Sequence, residues 1–353
     1  MTLINKKMAT TATAHGRRLL RAALATVATM MALGLQAQAT PQNKQAARQN
    51  KQAARQNNQT SRDSDKGQFP YPTVPETMRT VAERAEYVVT HYWDGFDFSD
   101  TTLIHKPDVT EQGFANFVDL LPRVDSALAV RGTHAFAQRA FGQGTPARVR
   151  EYFAKQVDHY LYDPQSPLRN DYTYIMFARE MKDMPALGVA ERERCAFRLR
   201  NVAKNMPGEV AADFRFIDRK GNVGTLHGVK ARLTVVYFND PDCDNCHRIT
   251  KTLLADSLMA KGGEGIRVLA VYPDADTEEW KRRPQPFPAW WTDAYSPDGE
   301  ITAQGIYFIR ATPTIYLLDE NKRVMLKDPT AEGLISFLRK ISPHPTSPRG
   351  GAK

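Results

Sequence analysis

The sequence predicts two folded parts: a mostly α-helical N-terminal domain, then an α/β domain with a mixed central sheet flanked by helices. Three observations carry this. Apolar residues recur at helical spacing from Met78 to about residue 205. From Pro207 onward, short Val- and aromatic-rich runs such as Leu233 to Phe238 and Ile266 to Tyr272 alternate with helical stripes and a late hairpin. At the end of the first run, Cys243-Asp244-Asn245-Cys246 stands where a strand passes through a turn into a helix.

The N-terminal 69 residues differ in kind. Lys6, Lys7, Arg17, Arg18 and Arg21 precede an apolar stretch from Ala22 to Leu35 and an Ala37-Gln38-Ala39 cleavage pattern. This predicts a signal peptide over 1–39 and a mature chain in the periplasm or cell envelope; a retained membrane anchor is the alternative. The unit NKQAARQ then occurs twice between Asn43 and Gln56. Gln and Asn replace the apolar seam of a coiled coil, so 40–69 reads as a disordered basic linker. Residues 1–69 carry eleven Lys/Arg and two Asp/Glu, so the whole formal excess of +9 lies there and the remainder is balanced. That argues against nucleic-acid binding by the folded part.

The helical domain is expected over 70–205. Pro75 suits a first helical position, and Met78, Val81, Ala82, Ala85, Val89 and Tyr92 form one stripe. Thr145-Pro146 reads as a cap and first-turn proline ahead of Val149, Tyr152, Phe153, Val157 and Tyr160. Further helices are expected over Asp171 to Met181 and Ala190 to Asn205. Trp93, Phe96 and Phe98 read as packing aromatics, and Cys195, on one face with Leu199 and Val202, as a small buried hydrophobe.

The α/β domain is expected over 206–342, with a disordered tail at 343–353. Phe214 to Ile217 leads into the turn Asp218-Arg219-Lys220-Gly221. Ile249, Leu253, Leu254 and Leu258 are helical. Thr314 to Leu318 and Arg323 to Leu326 flank the polar turn at 319–322, and Leu334 to Ile341 closes the domain as a helix.

Three cysteines are too few for a disulfide scaffold, and two share one C-x-x-C. Two intervening residues let both sulfurs occupy one helical turn. A thiol at the helix start meets unpaired N–H groups and the positive end of the dipole, which favour the thiolate. Cys243 is therefore expected to attack and Cys246, shielded a turn later, to resolve the mixed disulfide.

At this point the residues resemble thioredoxin-like proteins of the TlpA/ResA kind. The resemblance covers about 206–342: Pro207-Gly208-Glu209 leading to Asp213-Phe214-Arg215-Phe216, Gly221, Tyr237-Phe238 ahead of Cys243-x-x-Cys246, and Ala311-Thr312-Pro313-Thr314 before a strand. It implies a thioredoxin-like fold, a cis Pro313 facing the cysteine pair, and backbone hydrogen bonds from Thr312 to a substrate strand. The implied activity is thiol–disulfide exchange on protein disulfides, with no cofactor or metal. An exported reductase would draw electrons from a membrane-embedded relay. The helical region, with His91-Tyr92-Trp93-Asp94 and Phe96-Asp97-Phe98-Ser99-Asp100, resembles an uncharacterised domain that precedes such modules in exported bacterial proteins.

Two departures matter. The usual aromatic before the first cysteine is Asp242, and the position six before it, often a buried acid, is Tyr237. Glu278 and Glu279 are weak substitutes for a proton-transfer group. Asp242 and Asp244 oppose thiolate formation, which points to a moderately or strongly reducing pair.

Other readings stand beside this one. Cys243 to His247 also spells a c-type haem attachment motif, although it follows a buried strand. A zinc site would use Cys243, Cys246, His247 and Cys195, but adjacent Cys246 and His247 do not both reach one ion from a regular helix. A peroxiredoxin-like peroxidase lacks its Thr, replaced by Asp240, and its proline, replaced by Val236. A partner-binding envelope protein with a redox-inert scaffold would present Trp290 and Trp291.

Overall fold

The structure, a computed structural model, describes residues 67–284 and 286–341. The expected signal peptide, most of the linker and the tail lie outside the described residues. The chain forms two compact units, one ending at Leu199 and the next beginning at Arg200.

The first unit is helical: α1 (Val81–His91), α2 (Thr110–Leu120), α3 (Ser126–Ala140), α4 (Ala147–Val157), α5 (Asp171–Lys182) and α6 (Val189–Val202), the last running into the second unit. Its core is aromatic. Trp93 lies 4.9 Å from Phe136 and 5.4 Å from Phe96 between ring centroids, and Phe69, Trp93, Phe96 and Phe98 are all buried. The aromatic segment 93–98 thus packs, as its sequence predicts. Two local expectations do not hold. Helix α1 begins after Thr80, whose hydroxyl accepts from the Glu83 N–H while the Glu83 carboxylate accepts from the Thr80 N–H. That reciprocal cap satisfies two free donors at once, so it overrides Pro75 as the start and leaves Val81 72% exposed. Thr145 does not cap α4: its hydroxyl donates to the Arg139 carbonyl, and Pro146 is the capping residue.

The second unit is built on a seven-stranded mixed sheet: β1 (Arg215–Asp218), β2 (Val223–Thr225), β3 (Leu233–Phe238), β4 (Ile266–Tyr272), β5 (Thr292–Tyr295), β6 (Thr314–Leu318) and β7 (Val324–Lys327), in the order β2-β1-β5-β4-β3-β6-β7. β4 runs parallel to β3 and β5; the remaining pairs are antiparallel. Helices α7 (Asp244–Leu254), α8 (Ser257–Lys261), α9 (Glu278–Arg282), α10 (Glu300–Ala303) and α11 (Ala331–Ile341) accompany it.

All six residues of β3 are buried, because successive side chains feed two cores. Val236 and Phe238 join Leu269, Val271, Tyr316 and Leu318 on one face; Leu233, Val235 and Tyr237 join Val268, Ala270, Ile315 and Leu317 on the other. Sequence patterning passes over two strands, β2 and β5, and the reason is plain in β5. Its four residues hold one fully buried side chain, Ala294, and its place is set by pairing with β4 and β1. Trp290 and Trp291 pack: their indole N–H groups donate to the carbonyls of Ala260 and Met259, each at 3.1 Å.

Candidate active site

The site forms where β3 ends. β3 is clamped between β4 and β6, so its C-terminal end is fixed, and the turn Asn239 to Asp242 carries the chain to α7. The Asp240 carboxylate accepts from the Asp242 N–H at 2.8 Å, and its carbonyl accepts from the Cys243 N–H at 3.2 Å. These bonds place Cys243 at the cap position of α7, with extended backbone (φ −92°, ψ 108°).

There the sulfur takes the part usually played by a Ser or Asp oxygen. Cys243 Sγ accepts the Cys246 N–H at 3.1 Å, satisfying a free helical donor. Its thiol donates to the Thr312 carbonyl at 3.4 Å, and Asn245 Nδ2 reaches the same oxygen at 3.5 Å. The Thr312–Pro313 peptide bond is cis. Of the four residues singled out in the sequence, Cys243, Cys246 and Thr312 are thus brought together, and Pro313 follows Thr312 through the cis bond.

The two thiols differ. Cys243 is partly exposed, whereas Cys246 is 2% exposed; both are free. Burial pushes the Cys246 thiol up to about 12, and the neighbouring Cys243 adds to this; an Asp240 backbone hydrogen bond and the Thr312 side chain pull the other way. Beneath the pair, Tyr237 is fully buried, and its hydroxyl donates to the Cys246 carbonyl at 3.0 Å and meets Thr250 Oγ1 at 2.9 Å. Burial raises this phenol well above its ordinary range, so it stays neutral. His247 is exposed, with its N–H donating to the Cys243 carbonyl at 3.1 Å.

The bonds of Glu278 and Glu279 run to Lys281, Arg282 and Arg283. Cys195 lies in the first unit, 2% exposed, its thiol also pushed up to about 12, chiefly by burial. Two contributors escape the sequence reading. Thr250 lies four residues after Cys246, on the same helical face, which helical spacing could have indicated. Arg283, which ion-pairs with Asp242, comes from α9's far end and gives no local signal.

A buried strand ending at a helix-capping dithiol, faced by a cis Thr-Pro turn, defines a thioredoxin-like domain. The chain is similar to a thioredoxin-like protein from Bacteroides caccae ATCC 43185, with 31% identity, 78% of this chain and 99% of that chain covered, and a TM-score of 0.72. The chain belongs to this thioredoxin-like family. A conserved protein of unknown function from Bacteroides fragilis matches at 39% identity over 38% of this chain and 98% of that one, TM-score 0.35. The C-terminal domain of an uncharacterized protein from Bacteroides fragilis NCTC 9343 matches at 35% identity over 39% and 99%, TM-score 0.37. Residues 42–205 match a family described as a domain of unknown function, DUF5106. No curated protein matches the chain.

Proposed function

We propose that the chain is an exported thiol–disulfide oxidoreductase acting on protein disulfides through Cys243 and Cys246. The observation that carries this reading is the 3.1 Å bond from the Cys246 N–H to Cys243 Sγ at a helix start. A hydrogen bond to the sulfur there strengthens as the sulfur becomes negative, so it favours the thiolate. The partly exposed Cys243 thiolate attacks a substrate disulfide, forms a mixed disulfide and expels one substrate thiolate. Cys246 then loses its proton and attacks Cys243 Sγ, releasing the second substrate thiolate and closing the Cys243–Cys246 disulfide. Two electrons pass to the substrate. Thr312, beside the cis Pro313, supplies backbone groups to a bound substrate strand. The basic, apolar leader supports export, and in the cell envelope a membrane-embedded relay would return the electrons.

The test equilibrates the full chain in thiol–disulfide buffers and quantifies alkylation of Cys243 and Cys246 by mass spectrometry. A reversible two-electron transition is expected. A midpoint near ~−270 mV or lower makes it a reductase, and one near ~−120 mV an oxidant. Cysteines that remain alkylatable at every poise would overturn the reading in favour of a redox-inert scaffold.

A further inference from the structure

Asp242, the residue immediately before Cys243, is held by a side chain 41 positions further on. That side chain is Arg283, just beyond the short helix α9, and its guanidinium lies between two carboxylates, Asp242 and Glu279. Where the sequence resemblance leads one to expect an aromatic, this chain therefore carries an ion pair.

The arm bearing Arg283 is anchored. Arg219, in the turn between β1 and β2, lays its guanidinium over the Trp280 ring, 3.9 Å from the centroid. The same guanidinium donates to the Trp280 carbonyl at 2.7 Å and to the Arg283 carbonyl at 3.4 Å, and it pairs with Asp293 of β5. The Trp280 indole, 4% exposed, donates to the other Asp293 oxygen at 2.9 Å. The backbone of Arg283 is thus tied to the sheet while its side chain reaches Asp242. A side chain fixed at its root loses less freedom on pairing than one on a mobile loop.

A carboxylate beside a thiol disfavours the thiolate, and a cation bound to that carboxylate offsets it. We propose that Arg283 is a positioning residue of the dithiol site, which neutralises and fixes Asp242 so that its charge does not oppose the Cys243 thiolate. The other ionisable groups around Cys243 are Cys246, Tyr237 below, Asp240 and Asp244 on the same turn and helix start, His247 and Arg248 on α7, and Glu279 across the arm. Arg248 is bonded to Asn245, and on the 310–313 segment Arg310 pairs with Asp328 at 3.9 Å. Asp242 is the one of these carboxylates whose ion pair bridges to the anchored arm.

The inference rests on Cys243 being the reacting thiol, but its test reads acidity, not turnover. The rate of Cys243 carbamidomethylation would be followed against pH in the reduced full chain for wild type, Arg283→Gln, Arg283→Lys, Asp242→Asn and the double variant Asp242→Asn/Arg283→Gln. Arg283→Gln is expected to raise the Cys243 midpoint by about half a pH unit at low salt, as suits an exposed pair. The shift should shrink at 0.5 M salt. Arg283→Lys should restore most of it, and Arg283→Gln should have little effect once Asp242 is Asn. An unchanged midpoint in Arg283→Gln, or equal shifts with and without the Asp242 carboxylate, would overturn the proposal. Absence of a redox transition in the thiol–disulfide titration would instead overturn the oxidoreductase reading and leave this coupling standing.

Discussion

The Tyr237 hydroxyl donates to the Cys246 carbonyl across 3.0 Å, with Thr250 Oγ1 joined to the same hydroxyl at 2.9 Å. A neutral phenol therefore stands under the buried thiol where an acid is often found, and it holds the backbone of α7's first turn. Tyr237→Phe removes a buried hydrogen bond and should cost about 1–2 kcal/mol of stability, read from the urea midpoint. The pH profile of disulfide exchange should keep its shape, because the phenol has no charge to lose. A profile that moved would make Tyr237 a proton carrier.

Under the proposed exchange, the unequal burial of the two thiols makes Cys243 the attacking and Cys246 the resolving residue. Cys246→Ser should accumulate a mixed disulfide between Cys243 and a disulfide-bearing peptide, visible as an adduct mass. Cys243→Ser should give no adduct, since Cys246 is 2% exposed. Adducts on Cys246 in the latter variant would reverse the assigned roles.

Burial also makes the reduced fold sensitive to alkali. The Cys246 and Cys195 thiols both lie near 12 in the folded chain, against roughly 8.5 for a free thiol. A raised folded value means the unfolded chain loses its protons first. This stabilising contribution is therefore complete below about pH 8.5 and is lost as pH rises towards about 12. The urea midpoint of the reduced chain should fall between pH 8 and pH 11. The fall should be smaller in Cys195→Ala, which keeps one of the two thiols.

The helical unit has its own weak point. Phe136 is fully buried, 4.9 Å from Trp93, 5.3 Å from Phe153 and 5.6 Å from Phe177 between ring centroids. Phe136→Ala should cost about 3–5 kcal/mol. Circular dichroism should show early loss of helix while the sheet unit persists. An unchanged melting curve would show that this aromatic cluster is not the core of the unit.

Much of the architecture was legible because it rests on local pattern. Ile266 to Tyr272 and Thr314 to Leu318 read as strands with the bounds the structure has, since continuous apolar runs are what a sheet covered on both faces requires. Helix starts were less legible. Pro75 and Thr145 each fit a rule at a helix entrance, but the reciprocal Thr80–Glu83 cap and the Arg139 carbonyl offered those ends better hydrogen bonds.

By itself the sequence determined the two-part organisation and the strand–dithiol–helix junction at Cys243 and Cys246, while Thr312 and Pro313 were singled out by the family resemblance alone. Spacing within one helical turn and apolar periodicity are properties of adjacent residues, and they survive in a linear reading. Only the tertiary structure decided that Thr312 lies 3.4 Å from Cys243, that β5 completes the sheet beside β4, and that Arg283 closes on Asp242. Those contacts join residues tens of positions apart, and the sheet register and the anchored arm that create them exist only once the chain has packed.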